Sequence, residues 1–212
     1  MNEKIIVRQI QAVETHDWLL NKHYAKRLCP ISYAFGAFRG DKLIGVVTYG
    51  TPASAPLKSG VCGEEYKHLV IELNRLVCEN TKNIASTLVG GSLRLLPKPK
   101  IIVSYADMAQ DHVGYVYQAT NFIYTGLSAK RTDWKIRGME HLHGATIADM
   151  SRGQANRAAW MRERFGDDFY LQERSRKHRY VFFLGSKTFV KNACKSLKYK
   201  QEKYPKKIVQ NC

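Results

Sequence analysis

Short runs of alternating apolar and polar residues recur along the chain, separated by windows with helical spacing. Ile5–Ile10 is the first strand-like run. Ser32–Phe38 and Leu43–Tyr49 flank Arg39-Gly-Asp-Lys42, a turn composition, and predict a hairpin. His68–Cys78 predicts a longer strand. Its alternation puts Glu72, Asn74 and, less strictly, Leu76 on one face, and Ile71, Leu73, Arg75 and Val77 on the other. Lys100–Tyr105 is an apolar run suited to a buried strand, and Phe122–Leu127 and Arg179–Leu184 are strand-like. Helices are predicted over Thr15–Tyr24, with Thr15 as N-cap, over Lys82–Leu95, within Ala106–Asn121, and over Gly153–Phe165 as an exposed basic helix. Thr51–Gly63, rich in Pro, Ser, Gly and Ala, predicts a loop. The order of elements predicts an α/β (α+β) fold with a mixed, largely antiparallel central sheet flanked by helices.

The 212 residues fit one compact domain, and 44% hydrophobic residues supply a core, which excludes a disordered chain. A catalytic domain is expected over residues 1–185 and a basic C-terminal extension over 186–212. Charge changes the picture most. The net charge is +16, and from Arg174 to Cys212 there are 12 Lys and Arg residues against the single acid Glu202. A polyanionic partner is expected, double-stranded DNA above all, held by this basic surface and tail. The plainer reading of the tail is a solubilising surface. Cys29, Cys62, Cys78, Cys194 and Cys212 are odd in number and form no C-x-x-C pair, so a reducing cytoplasm is expected. The charged N-terminus and the lack of any long apolar run predict neither a signal peptide nor a membrane span.

Candidate chemistry concentrates in Ser104-Tyr-Ala-Asp-Met-Ala-Gln-Asp-His-Val-Gly-Tyr-Val-Tyr-Gln-Ala-Thr-Asn121. Asp107 stands at the C-terminal end of a buried strand, where α/β sheets bind ligands. It is suited to general-base work, to metal ligation, or simply to capping the next turn. Tyr115 and Tyr117 cannot share one helix face, so at most one points towards Asp107, and both also suit an ordinary core. His23 and Tyr24, with Asp107, offer N and O donors of the kind that bind iron or another divalent metal. Arg75, alone in an apolar strand, needs a carboxylate such as Glu72 or Asp107, or else serves as an anion clamp. Asn80–Ser86 opens a helix, a position that binds anions, so Ser86 and Thr87 are placed to contact a donor or a base. His141 and His143, with Asp149, lie in a basic stretch suited to metal or, more simply, to a DNA-facing or lid loop.

The stretches His23-Tyr-Ala-Lys-Arg27, Cys29-Pro-Ile-Ser-Tyr-Ala-Phe-Gly36, Glu72-Leu-Asn-Arg-Leu76 and the long motif from Ser104 to Asn121 resemble the phage Mom family over about residues 15 to 185. The resemblance implies a GNAT-like acyltransferase fold and a transferase that converts adenine in phage DNA to an N6-carbamoylmethyl form, protecting it from host restriction. It implies iron as an associated metal and the bacterial host cytoplasm as the location. Functional positions implied by it are Tyr24, Arg75, Ser86, Asp107 and Tyr117, with Tyr115 as the alternative to Tyr117 and His23 as a metal ligand. The usual Gly-rich pyrophosphate turn of GNAT enzymes is not matched, since Gly90-Gly91 falls inside the helix. The acyl donor therefore stays open, acetyl-CoA included. Two rival readings remain at this point: a GNAT-fold N-acetyltransferase acting on a small molecule or protein, and a non-enzymatic phage DNA-binding protein.

Overall fold

The computed structural model describes residues 4–206 apart from residues 53 and 143, so the expectations for His143, Cys212 and the last six residues lie outside the described residues. Seven strands form the central sheet: β1 (Ile5–Gln9), β2 (Tyr33–Arg39), β3 (Lys42–Gly50), β4 (Val70–Cys78), β5 (Lys100–Asp107), β6 (Ile123–Leu127) and β9 (Lys177–Leu184). Their spatial order is β1-β2-β3-β4-β5-β9-β6, and every neighbouring pair is antiparallel except β4 and β5. This is the mixed, largely antiparallel sheet that the alternation predicts. Helix α2 (Ile84–Leu95) supplies the crossover that a parallel pair requires.

Side-chain alternation sorts the core into two layers. Phe35, Tyr49, Leu73, Ile102 and Tyr180 face α2 and the short α3 (Tyr115–Ala119). Val70, Ile101, Val103 and Val181 face α1 (Ala55–Cys62) and α6 (Lys187–Lys195), which contribute Val61, Cys62 and Ala193. The C-terminal chain continues along the sheet: Glu202 N–H donates to the Tyr124 carbonyl at 2.9 Å, and the Tyr204 hydroxyl to the Phe122 carbonyl at 2.8 Å. Residues 187–206 thus pack on the sheet.

Three expectations are corrected. Thr15–Tyr24 is not one helix. A 3₁₀ turn at Ala12–Thr15 runs into a π-helical turn at Trp18–Lys22, and Thr15 is buried with its hydroxyl given to the Ala12 carbonyl. The loop predicted over Thr51–Gly63 contains α1, which tolerates Pro56 because it lies in the first turn, where a missing N–H costs nothing. The chain between β6 and β9 folds as a small lobe. It holds a two-stranded ribbon, β7 (Thr132–Ile136) with β8 (Phe169–Glu173), and helices α4 (Gly144–Asp149) and α5 (Arg157–Phe165). Ile136, Ile147, Met161 and Phe169 give the lobe its own core, so the predicted exposed helix buries one face.

The feature that positions chemistry is the end of the parallel ladder. Pairing between β4 and β5 stops at Leu73 opposite Ser104, although β4 runs on to Cys78 and β5 to Asp107. Beyond that pair each strand is paired only with its outer neighbour, so the ladder opens towards the ends of β4 and β5; this opening is the cleft.

Candidate active site

The segment after the π-helical turn closes one side of the cleft. His23 leaves the turn in an extended conformation, and Lys26, at φ 42°, reverses the chain. A latch fixes its return. The Asn74 amide donates to the Pro30 carbonyl at 2.8 Å, while its oxygen accepts from the Thr48 hydroxyl at 2.6 Å. Only a glycine fits beneath: a Cβ on Gly50 would lie 1.9 Å from the Pro30 oxygen. The latch thereby couples the β3–β4 pair to the segment that carries His23 and Tyr24.

His23 is 8% exposed, and its Nδ1 accepts the Ala25 N–H at 2.9 Å. Burial, reinforced by the positive surroundings of Arg75, His112 and Lys177, pushes its pKa down to about 4. The ring is therefore neutral near pH 7. With Nδ1 occupied as an acceptor, the proton resides on Nε2, so His23 presents a hydrogen-bond donor. Tyr24 stacks on it at 4.3 Å between ring centroids, keeps half its surface exposed, and meets His112 edge-on at 6.4 Å.

Arg75 projects from β4 beside this pair. Its Nη1 donates to the Asn74 carbonyl at 2.6 Å, while its Nε is buried with no partner among the described residues. An orphaned guanidinium N–H is costly in the protein interior, so Arg75 is held there at some expense of stability. Deeper in, the buried Tyr117 lies near Ser104, and Ser104 donates to the Leu73 carbonyl at 3.0 Å, the last rung of the parallel ladder. Burial pushes the Tyr117 phenol up to about 12, so it stays protonated. Tyr115, two residues earlier and off that face, is 56% exposed.

Asp107 ends β5 with both carboxylate oxygens engaged. One accepts the Ala109 N–H at 3.0 Å and the Ser175 hydroxyl at 3.2 Å; the other meets the Lys177 ammonium at 3.0 Å. Burial alone would raise its pKa, but the Lys177 ammonium, the Ala109 N–H and Ser175 together hold the carboxyl below the usual carboxylate range. The capping role and an ion pair are thus both realised, the latter with Lys177 rather than Arg75.

His23, Tyr24, Arg75 and Tyr117 accordingly lie near one another at the open end of the ladder, with Asp107 joined to them through Lys177. Ser86 and Thr87 sit on the first turn of α2, where their recorded bonds are local: Ser86 Oγ and Thr87 N–H both donate to the Asn83 carbonyl. Asp149 pairs with Arg152 at 2.9 Å in the lobe. Lys177 and His112 were not singled out from sequence. His112 lies inside the quoted long motif, and Lys177 is masked by the run of tail cations around it.

The proposed metal donors do not fit a metal as arranged. Ligation through His23 Nε2 requires a proton on Nδ1, but Nδ1 faces a backbone N–H. The Asp107 oxygens are committed to three donors. Among the described residues no three His, Cys, Asp or Glu side chains converge as a metal site. No helix of the described residues is long and apolar enough to cross a membrane.

The profile of the Mom protein family matches residues 4–206. The chain is 28% identical over 192 residues to methylcarbamoylase mom of Escherichia phage Mu, covering 87% of this chain and 77% of that protein. Among solved structures it is similar to a Bacillus subtilis acetyltransferase in complex with CoA, with 14% identity over 85% of this chain and 99% of the other at a TM-score of 0.46. It is likewise similar to an N-acetyltransferase from Staphylococcus aureus, with 13% identity over 86% and 99% at a TM-score of 0.45.

Proposed function

Because the chain belongs to the Mom protein family, we propose that it is a transferase that places a carbamoylmethyl group on the exocyclic N6 amine of adenine in DNA. The observation that carries this reading is the 28% identity to the phage Mu methylcarbamoylase, and the nearness of His23, Tyr24, Arg75 and Tyr117, with Asp107 joined through Lys177, supports it. Protection of phage DNA from host restriction is the expected consequence.

The adenine amine is a weak nucleophile, since its lone pair is delocalised into the ring. In a duplex its edge is also engaged in pairing, so the base enters the cleft unstacked. The half-exposed Tyr24 ring, braced from behind by His23, offers it a stacking face. As N6 bonds to the donor's carbon, the leaving group departs with the bonding electron pair and N6 becomes positively charged. A nitrogen in that state is acidic, so even the depressed Asp107 carboxylate accepts its proton. The Arg75 guanidinium charge and the His23 Nε2–H are suited to stabilise negative charge that develops on an oxygen of the transferred group or of the leaving group. Tyr117, packed against Phe122 and Tyr180, shapes the floor. No step is routed through iron, for the reasons of geometry given above.

The test is mass spectrometry of nucleosides from the DNA of bacteria expressing the chain. A deoxyadenosine carrying the added mass of a carbamoylmethyl group is expected, and Asp107→Asn and Arg75→Ala should abolish it while circular dichroism stays native. Unmodified deoxyadenosine with the native chain well expressed would refute the reading.

A further inference from the structure

Two linkers join the lobe to the sheet, and they are zipped together. Ser128 N–H donates to the Lys177 carbonyl at 2.8 Å, Lys177 N–H to Ser128 Oγ at 3.0 Å, and Arg174 N–H to the Arg131 carbonyl at 2.8 Å. Between them is a cavity of about 250 Å³ lined by Lys130, Arg131, Thr132, Glu173, Arg174 and Arg176. A water takes about 30 Å³ in the liquid, so the cavity admits a larger group. Four of the six lining residues are cationic. Glu173, and Asp133 paired behind Arg174, offset two of these charges and leave a net excess of two.

Two of the four cations are held in place in advance. Arg174 makes a bidentate pair with Asp133, and Arg176 Nε donates to the Ser128 carbonyl at 2.7 Å, which leaves the outer guanidinium N–H groups pointing away from these anchors. Lys130 and Arg131 are exposed. Prepositioned guanidinium groups suit phosphate, whose oxygens accept paired N–H bonds, and little entropy is lost on binding. The cavity also adjoins the cleft along the chain. Arg174, Ser175, Arg176 and Lys177 are consecutive, and Ser175 and Lys177 are the two side chains that grip Asp107.

We propose that this cavity at the root of the lobe is a phosphate site that holds the DNA backbone beside the nucleotide being modified. The inference rests on the reading of the chain as a DNA-modifying enzyme. It assigns backbone positioning to a built cavity rather than to the C-terminal run of lysines. The lobe then works as an arm fixed at the edge of the cleft, and a strand gripped there presents its next base to Tyr24 and Asp107.

The test compares the native chain with Lys130→Ala/Arg131→Ala and with Lys191→Ala/Lys195→Ala, which removes the same number of charges from the exposed face of α6. Arg174 and Arg176 are left in place because they brace the linkers. Dissociation constants for a fluorescent duplex are measured over a series of salt concentrations. Each lost phosphate contact lowers the slope of log K against log salt by about 1. The cavity variant should lose about 1 to 2 in slope and bind several-fold more weakly, with the α6 variant losing less than half as much. Equal losses in the two variants, or an unchanged slope in the cavity variant, would overturn the proposal, as would a native chain that binds no duplex. A calorimetric arm with coenzyme A or pyrophosphate separates the other source of phosphate. Loss of that binding in the cavity variant, with duplex affinity intact, would assign the cavity to a donor molecule and overturn it too. A native chain that binds duplex through this cavity yet yields no modified deoxyadenosine would leave the site standing and refute only the reaction.

Discussion

Gly50→Ala isolates the latch over the cleft. Gly50 is not among the glycines with positive φ, so alanine meets no backbone penalty there and the effect is steric. The added Cβ would sit 1.9 Å from the Pro30 oxygen and 2.8 Å from its carbonyl carbon, both backbone atoms. The segment carrying Pro30 must withdraw by roughly 1 Å or more to reach an ordinary contact. Overpacking of this kind costs about 1–3 kcal/mol. The retreat also weakens the Asn74–Pro30 hydrogen bond, worth about 1 kcal/mol. Together these give a loss of about 2–4 kcal/mol, or roughly 5–15 °C in Tm for a chain of this size. Because His23 and Tyr24 lie on the same segment, a shift of that amount moves them out of register with Asp107, and about 100-fold in modification rate should go with it. Differential scanning calorimetry gives the first number. Nucleoside mass spectrometry, sampled well below the lowered Tm, gives the second. A Tm within about 1 °C of native together with an unchanged rate would show that Pro30 yields freely and that the latch positions nothing.

Two further outcomes are expected. Folding lowers the proton affinity of His23 from 6.5 to about 4, so its contribution to stability is complete above pH 6.5 and is lost as pH falls through about 4. Urea titrations between pH 7 and 4 should show the native chain losing roughly 2–3 kcal/mol more than His23→Gln, and parallel curves would contradict the burial argument. Ile147→Ala empties a fully buried position in the lobe and should cost about 2–5 kcal/mol there. Hydrogen exchange should quicken across β7 and β8 while β4 and β5 keep their protection; equal quickening in both would show that the lobe has no core of its own.

The central sheet was legible because its strands alternate cleanly or are wholly apolar. Arg39–Lys42 marked the hairpin turn, and Lys100–Tyr105 could hardly be anything but buried. The lobe was not legible. Thr132–Ile136 and Phe169–Glu173 are short, half-polar strands that gain stability only by pairing with each other across more than thirty residues. Thr15–Tyr24 has helical spacing, but with Trp18 and Leu19 buried against Val46 the chain takes a wider, π-helical turn there, which spacing does not announce. Of the candidate site, Asp107, Arg75, His23, Tyr24 and Tyr117 could be proposed from sequence, Asp107 and Arg75 because a charge at a buried strand position or a strand end is conspicuous. Their protonation states could not. The neutral, Nε2-protonated His23 depends on a single N–H two residues on, and the depressed Asp107 on Lys177 in the neighbouring strand. Spatial neighbours of this sort leave no periodic trace.

The position of the lobe between β6 and β9 bears on how the chain reaches its native state. Leu127 and His178 are partners in adjacent strands, yet some fifty residues separate them. With the lobe unfolded, their meeting closes a long flexible loop. Once β7, β8 and the lobe helices have assembled, the same meeting closes only two short tethers already joined through Ser128 and Lys177. The difference in closure entropy is about 2 kcal/mol, which favours a route in which the insertion organises first and the last two strands of the sheet dock afterwards.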